Sequence, residues 1–243
     1  MRFFAFALAL AAVAALFIHN ANRSASSQTC RRLAATRVFS HCGRARGVAS
    51  GESAVVTAGR VEAMYGRGIA AFDMDIFWST GGTLYVGHPR LLREEFGRDP
   101  FEWSDAQVPR GTLTVEKLLD LAGELPRLTL ALDLKGSTYD AYHTYLARLR
   151  DMVARRRLQR RAWIWVDSAE AVAALGPSNG VRFGRPLYDR GDAAADCASQ
   201  LEAADARRFE FLGPSATCAS ARFFAAAAAA PWRRAPRHLL VWT

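Results

Sequence analysis

The sequence predicts an α/β protein in which a parallel sheet is covered by helices, as in a TIM-type (β/α)8 barrel. Short apolar runs of strand length alternate with amphipathic stretches, and the connections are long enough for right-handed crossovers between parallel strands. The chain has 243 residues, and a barrel of eight such units typically uses about 250. Half of the residues are hydrophobic (51%), which excludes a disordered chain, a collagen-like chain and a multi-span membrane protein.

The strands are predicted from apolar runs bounded by turn signals. Residues 69–76 and 127–134 are the clearest of these runs, and the short run at 83–87 follows the Gly81-Gly82 turn. The predicted strands are, in order, 37–42, 69–76, 83–87, 127–134, 162–166, 181–184, 209–212 and 238–242. The sequence ends directly after the last of them, so we expect the barrel to lack the helix that completes its last unit.

The helices are predicted from apolar residues at helical spacing. The segment 113–125 also has a start signal at Thr114 and ends before Pro126. The predicted helices are 54–66, 113–125, 139–157 and 169–175, and the alanine run 224–230 is interpreted as a surface helix.

The N-terminal segment has the pattern of an export signal. Arg2 is followed by an unbroken apolar run at residues 3–18, which is shorter than the roughly 20 residues of a comfortable transmembrane helix. We expect residues 1–27 to be a signal peptide or a signal-anchor and residues 28–243 to be the barrel domain. The protein is then secreted or held at a membrane. The alternative is a buried N-terminal helix.

Export would place the four cysteines in an oxidising compartment. Four cysteines allow three complete pairings, which the sequence does not separate. We favour Cys197 with Cys218 because they lie 21 residues apart in one loop-rich region. Their spacing does not match a zinc site. The other two are Cys30 and Cys42.

The net charge is +9, and nearly all of the basic residues are arginine. A basic surface is typical of proteins that bind nucleic acid, an anionic membrane or a phosphorylated substrate. The other interpretation is a compositional bias, because alanine and arginine are both abundant along the whole chain. We favour the compositional bias, so we do not use the net charge to choose between these functions.

Carboxylates lie near the carboxyl ends of two of the predicted strands, where the catalytic groups of such barrels lie. Asp73 and Asp75 share one face of a strand because side chains alternate, and Asp133 shares a side with Lys135. Three carboxylates with no Cys or His among them make an all-oxygen site, which favours Mg²⁺ or Ca²⁺ over zinc. We expect one divalent cation there. The alternative is that Asp73 and Asp75 pair with surface arginines.

Two histidines, His41 and His88, lie at predicted strand ends close to glycines. Imidazoles beside a phosphate held by a cation are suited to act as general base and general acid. The sequence does not say which histidine takes which role. The remaining histidines are interpreted as structural, solvated or part of the leader: His19, His143 and His238.

Four motifs occur in order within residues 37–136: His41-Cys42-Gly43, Asp73-Met74-Asp75, the run from Gly81 to His88, and Asp133-Leu134-Lys135. This set resembles the glycerophosphodiester phosphodiesterases and the wider group of phospholipase-C-like barrels that includes sphingomyelinase D. The corresponding family motifs are His-Arg-Gly, Glu-x-Asp, a turn that leads to a histidine, and Glu-x-Lys or Asp-x-Lys. The resemblance covers about 100 of the 243 residues.

The resemblance implies a metal-dependent hydrolase of glycerophosphodiesters or (lyso)phospholipid head groups. The implied roles are cation ligands for Asp73, Asp75 and Asp133, acid–base catalysis for His41 and His88, and substrate contacts for Arg44, Glu52, Lys135 and Trp242. Three departures matter. Cys42 replaces a phosphate-binding arginine, for which Arg44 or Arg46 is expected to substitute, and Asp73 replaces a glutamate. The family's Pro-Glu-Asn-Thr motif is eroded, because the corresponding residues 51–54 keep only its glutamate, Glu52.

Two other functions stay open. A barrel with weak or absent catalysis could bind phospholipid at a membrane surface, and calorimetry with Mg²⁺ or Ca²⁺ would distinguish it. A nucleic-acid binder would use the arginine runs at 155–157 and 160–161, but the export signal argues against nucleic acid as a partner. We expect a monomer whose partners are the phosphodiester or phospholipid substrate and a membrane surface.

Overall fold

The structure is a computed structural model that describes residues 40–41, 53–166, 169–187, 211–214 and 238–239. Contacts between Cα atoms divide the chain into Met1–Arg37 and Val38–Thr243, and all of the described residues belong to the second unit. The N-terminal apolar run, the cysteines and the alanine run lie outside the described residues. Among the residues that are described, no helix combines the length and apolar character that crossing a bilayer requires.

The strands form one sheet in which seven strands run parallel in the order β1-β2-β4-β5-β6-β7-β8. This order follows the chain, as it does in an α/β barrel. The strands are β1 (Ser40–His41), β2 (Ala71–Trp78), β3 (Leu84–Val86), β4 (Thr129–Leu134), β5 (Ala162–Trp165), β6 (Arg182–Leu187), β7 (Phe211–Pro214) and β8 (His238–Leu239).

The strand β3 departs from the parallel pattern because it pairs antiparallel with β2. The connection from Trp78 to Leu84 is too short for a crossover, so the chain must reverse through a tight turn. Gly82 provides this turn with a φ of 85°, a conformation that glycine adopts without a steric penalty. The chain then continues into a helix that was not predicted.

The helices are α1 (Ala58–Gly66), α2 (Pro89–Phe96), α3 (Val115–Glu124), α4 (Tyr142–Arg155) and α5 (Ala169–Ala174), with a 3₁₀ turn at Pro100–Glu102. The predicted start of α3 at Thr114 is confirmed, because the Thr114 side chain accepts a hydrogen bond from the Lys117 N–H at 3.2 Å. The predicted start of α1 at residue 54 is wrong. Thr57 caps this helix, and residue 56 lies outside it, where its carbonyl accepts from the Leu113 N–H at 2.8 Å.

The two faces of the sheet have different surroundings. Alternate residues of β2, including Phe72 and Met74, belong to the core that packs against the helices. The opposite side of the sheet, which we call the inner face, carries Asp73, Asp75, Ala131, Asp133, Trp163 and Trp165. Every residue of β2 is buried, as expected for a parallel strand that is covered on both sides.

Candidate active site

The structure places the three predicted acids on neighbouring positions of the inner face. Asp75 and Asp133 lie opposite each other in the register of β2 and β4, and Asp73 lies two residues before Asp75. Asp73 and Asp75 are buried, at 8% and 2% exposure. Buried carboxylates need compensating charge or hydrogen bonds. The contacts that they make therefore define the chemistry of the site.

Lys135 lies between two of these acids. Its Nζ is 2.9 Å from Asp75 Oδ1, and it also donates a hydrogen bond to Asp133 Oδ2. The lysine backbone continues the ladder from β4 to β2, since the Lys135 N–H donates to the Ile76 carbonyl at 2.8 Å. Within the described residues, the positive charge that compensates Asp75 is therefore the ammonium of Lys135, which directly follows β4.

Asp73 has a different partner, Trp165 of β5. The indole Nε1 donates to Asp73 Oδ1 at 3.0 Å in a buried contact. Burial, followed by the negative charges of Asp133 and Asp75, raises the pKa of Asp73 to about 8, although Lys135 and this hydrogen bond act in the opposite direction. Asp73 therefore holds a proton at neutral pH unless further positive charge enters the site.

The donor chemistry of the inner face fits a hard divalent cation, because the three acids offer only carboxylate oxygens on adjacent strands. Within the described part of the chain, however, no group of three His, Cys, Asp or Glu residues has its donor atoms gathered for a metal ion. Lys135 lies between Asp75 and Asp133, and Asp73 is held by Trp165. A cation held by all three acids therefore requires Lys135 to move away from them.

His88 comes directly after a residue whose backbone is hydrogen-bonded to Asp75. The N–H of the preceding Gly87 donates to the Asp75 carbonyl at 2.9 Å. His88 caps α2, and its Nδ1 accepts from the Arg90 N–H at 3.2 Å. A ring nitrogen that accepts a hydrogen bond carries no proton, so the neutral imidazole has its hydrogen on Nε2. In the neutral ring, Nε2 is therefore a hydrogen-bond donor.

The remaining predicted site residues are described in part or not at all. The backbone of His41 in β1 pairs beside Asp73, which places it next to the acids. Its side chain lies outside what the structure describes, and so do Arg44, Glu52 and Trp242.

Two residues that contribute to this region were missed by the sequence reasoning. Trp165 was detectable, because the alternation in β5 sets Trp163 and Trp165 on one side and Ile164 on the other. Glu95 of α2 accepts hydrogen bonds from the Ser53 hydroxyl at 2.7 Å and from the Ala54 N–H. It thereby holds the segment that follows Glu52. No local pattern signals this contact, since it joins residues about 40 positions apart.

Gly136, which follows Lys135, has no room for a side chain. Its φ is 93°, and a Cβ would lie 2.6 Å from the Trp78 ring and 2.9 Å from Phe101. We expect Gly136→Ala to lower the free energy of unfolding by about 2–4 kcal/mol, measured by chemical denaturation. The control is Gly123→Ala in α3, where a Cβ meets nothing within 4 Å and a gain of about 0.5–1 kcal/mol is expected. Equal effects of the two changes would contradict this.

Comparison with known proteins identifies the fold. No protein-family profile matches the sequence, and no curated protein matches it. Solved structures do match. A Galdieria sulphuraria protein assigned to the glycerophosphodiester phosphodiesterases has a TM-score of 0.64 at 18% identity, over 85% of this chain and 84% of its own. The glycerophosphodiester phosphodiesterase of Thermotoga maritima has a TM-score of 0.61 at 12% identity, over 86% and 85%.

A glycerophosphodiester phosphodiesterase of Agrobacterium tumefaciens has a TM-score of 0.59 at 17% identity, over 86% of this chain and 87% of its own. Identities this low establish the fold and nothing further. The chain has the (β/α) barrel fold of these proteins, so the predicted fold class is confirmed.

Proposed function

We propose that the chain is a divalent-cation-dependent phosphodiester hydrolase of the glycerophosphodiester phosphodiesterase family. The observation that carries this proposal is the placement of Asp73, Asp75 and Asp133 at neighbouring positions of β2 and β4 on the inner face of a barrel with this fold. Its substrates are glycerophosphodiesters or (lyso)phospholipid head groups. The protein works as a monomer, either secreted or held at a membrane by its N-terminal apolar run.

Asp73, Asp75 and Asp133 would hold the cation, Mg²⁺ or Ca²⁺, which supplies Lewis-acid stabilisation of the phosphoryl charge. Lys135 is released from the acids in that state. Its ammonium would then contact a non-bridging oxygen of the substrate and stabilise the negative charge that develops there in the transition state. In this proposal Arg44 gives a second positive charge, while Glu52 and Trp242 contact the rest of the substrate.

The two histidines divide the proton transfers. His88 is assigned the role of general acid in its doubly protonated form. When the ring takes up a proton at Nδ1, the hydrogen bond from the Arg90 N–H is broken, and the imidazolium gives its Nε2 proton to the leaving oxygen and returns to the neutral ring. His41 is then the general base, supported by its backbone position beside Asp73.

The direct test is hydrolysis of glycerophosphocholine and lysophosphatidylcholine by the purified protein, with Mg²⁺ or Ca²⁺ and with excess EDTA. We expect turnover with the cation and its loss in EDTA, followed by recovery when the cation is restored. Equal rates in EDTA would reject the cation. No phosphodiester cleavage under any condition would reject the hydrolase.

The assignment of His88 has its own prediction. We expect His88→Asn to lower kcat about 10²–10⁴-fold with little change in Tm, because asparagine is an equally good cap for α2. His88→Ala should lose the same activity and, in addition, about 1 kcal/mol of stability. Steady-state kinetics and thermal unfolding of both variants measure this. A normal rate in His88→Asn would remove His88 from catalysis.

A catalytically inactive barrel that binds phospholipid is the second candidate. The observation that favours it is the Lys135 ammonium between Asp75 and Asp133, an arrangement that satisfies both acids without a metal ion. The loss of the family's phosphate-binding arginine at Cys42 points the same way. Calorimetric titration separates the candidates, because an inactive site of this kind shows no heat of Mg²⁺ or Ca²⁺ binding.

A further inference from the structure

Exposed arginines gather at the end of the sheet opposite to the site. Helices α1, α3 and α4 each return the chain to the amino end of the next strand, and five exposed arginines lie at the ends of these helices or in the returns that follow them. They precede β2, β4 and β5, which are neighbours in the sheet. We call this set the basic end: Arg67, Arg127, Arg155, Arg157 and Arg160.

Contacts join the three returns that carry the basic end. The Arg127 guanidinium lies 5.7 Å from the centre of the Tyr65 ring. A hydrogen bond from Arg127, together with the positive charges of Arg127 and Arg161, lowers the pKa of Tyr65 despite some burial. Arg161 in turn donates to the Leu125 carbonyl at 2.9 Å. The returns that enter β2, β4 and β5 are therefore in contact.

The charge of this surface is not the general charge of the chain. Residues 60–67, 120–127 and 155–161 contain eight arginines and three acids, a net charge of +5. The segment 88–110, at the carboxyl end of β2, contains four arginines and five acids, a net charge of −1. A uniform bias toward arginine would charge both ends alike. The asymmetry instead indicates a surface that meets an anionic partner.

We propose that the basic end docks on an anionic phospholipid surface. Single-stranded nucleic acid is the less suitable partner, because its binding sites combine positive charge with exposed aromatic rings. Within the described residues, the large exposed hydrophobic side chains are Phe96 and Tyr139. Tyr139 follows the carboxyl end of β4, and the Phe96 ring lies 5.9 Å from that of Trp103, whose carbonyl accepts from the Thr80 N–H just beyond β2. At the basic end the Tyr65 ring is covered by Arg127.

Docking in this way has a consequence for the site, which rests on the proposed function. The strand β2 has eight residues and so spans roughly 25 Å between the lipid surface and the carboxyl ends of the strands. The mouth of the site would then face water. This geometry selects water-soluble phosphodiesters over lipids that remain in the same bilayer.

The experiment compares binding of the full chain to vesicles of phosphatidylcholine and to vesicles with about one third phosphatidylserine. The test variant is R155Q/R157Q/R160Q, and the control R90Q/R98Q/R110Q removes the same charge at the opposite end. We expect wild type and control to prefer anionic vesicles, and this preference to vanish in about 0.5 M salt. The test variant should lose on the order of 100-fold of the preference, since each arginine near the surface contributes about fivefold.

Equal loss in the two variants would reduce the effect to net charge and overturn the proposal, as would the absence of any anionic preference. Tighter binding of a single-stranded oligonucleotide than of anionic vesicles would also overturn it. If the N-terminal run holds every variant on both vesicle types, modification by phenylglyoxal decides. Anionic vesicles should protect Arg155, Arg157 and Arg160 but not Arg90 and Arg98, and equal modification would overturn docking.

A structural role for these arginines gives a different result. Arg155 lies in the last turn of α4, where positive charge complements the helix dipole. If that were the function of the cluster, the test variant would lose thermal stability and keep its preference for anionic vesicles. None of these measurements uses hydrolysis, so failure of the proposed enzyme would not be confused with failure of docking.

Discussion

Asp75→Asn is expected to abolish cation-dependent hydrolysis, lowering kcat/KM by about a thousandfold or more. Asp75 is the most buried of the three acids, and its carboxylate is 2.9 Å from the Lys135 ammonium. Replacing it removes the negative charge of a carboxylate ligand and one of the two anions that hold Lys135 in place. Stabilisation of phosphoryl charge by a bound cation amounts to several kcal/mol, and each 1.4 kcal/mol is about tenfold in rate.

Steady-state kinetics and calorimetric titration with Mg²⁺ and Ca²⁺ measure this effect. The matched control is Asp120→Asn, since Asp120 also forms an ion pair, 2.9 Å from Arg156, but on the helix surface. The control should keep both rate and cation affinity. If Asp75→Asn retained cation binding and most of its turnover, the acids of the inner face would not form the catalytic centre.

Asp73→Asn is expected to stabilise the metal-free protein while it removes cation binding. The pKa of Asp73 is raised from an ordinary value near 3.8 to about 8, so the folded state holds a proton that the unfolded state releases between these values. The folded state therefore binds more protons than the unfolded state, and stability falls as pH rises from about 4 to about 8. At neutral pH this costs on the order of 2–4 kcal/mol.

Asparagine has nearly the shape of a protonated aspartic acid and does not bear this cost. In EDTA at pH 7 we expect Asp73→Asn to raise Tm on the order of 5–10 °C. The gain over wild type should be small at pH 5 and larger at pH 8. Thermal unfolding at these pH values measures it, with Asp120→Asn as the control. If the variant were less stable than wild type at pH 8, the burial of Asp73 beside two other acids would not be what destabilises the metal-free protein.

The expected gain in stability would also show that the acids of the site destabilise the metal-free protein. A buried acid next to two others is unfavourable in the metal-free fold, and residues of this kind persist where activity needs them. Binding of a cation should release the proton of Asp73, so its affinity should rise with pH up to about 8. The pH dependence of stability and the pH dependence of cation affinity therefore both report the protonation of Asp73.

Local chemistry in the sequence was sufficient for the fold class and for most element positions. The start of α3 was predictable because its signal, the Thr114 side chain on the Lys117 N–H, lies within four residues. The shared face of Asp73 and Asp75 was predictable for a similar reason, since alternation along a strand is a property of the extended backbone. Barrel topology followed from the alternation of strands and helices.

Contacts between distant segments could not be predicted in this way. The direction of β3 depended on the length of a turn. The start of α1 depended on a hydrogen bond donated by the Leu113 N–H and on hydrogen bonds accepted by the Glu95 carboxylate. The placement of Lys135 between Asp75 and Asp133, and of Trp165 on Asp73, depends on the register of three strands. Register is set by packing over the whole sheet rather than by any local signal.

The sequence by itself therefore determined the residues on which the proposed chemistry rests: acids on one face, a lysine two residues beyond Asp133, and histidines near strand ends. Only the tertiary structure decided which charges compensate one another, which ring nitrogen of His88 carries the hydrogen, and at which end of the sheet the arginines gather. The physical reason is range. Periodicity and capping act within a few residues, whereas burial and ion pairing act between strands that are far apart in the chain.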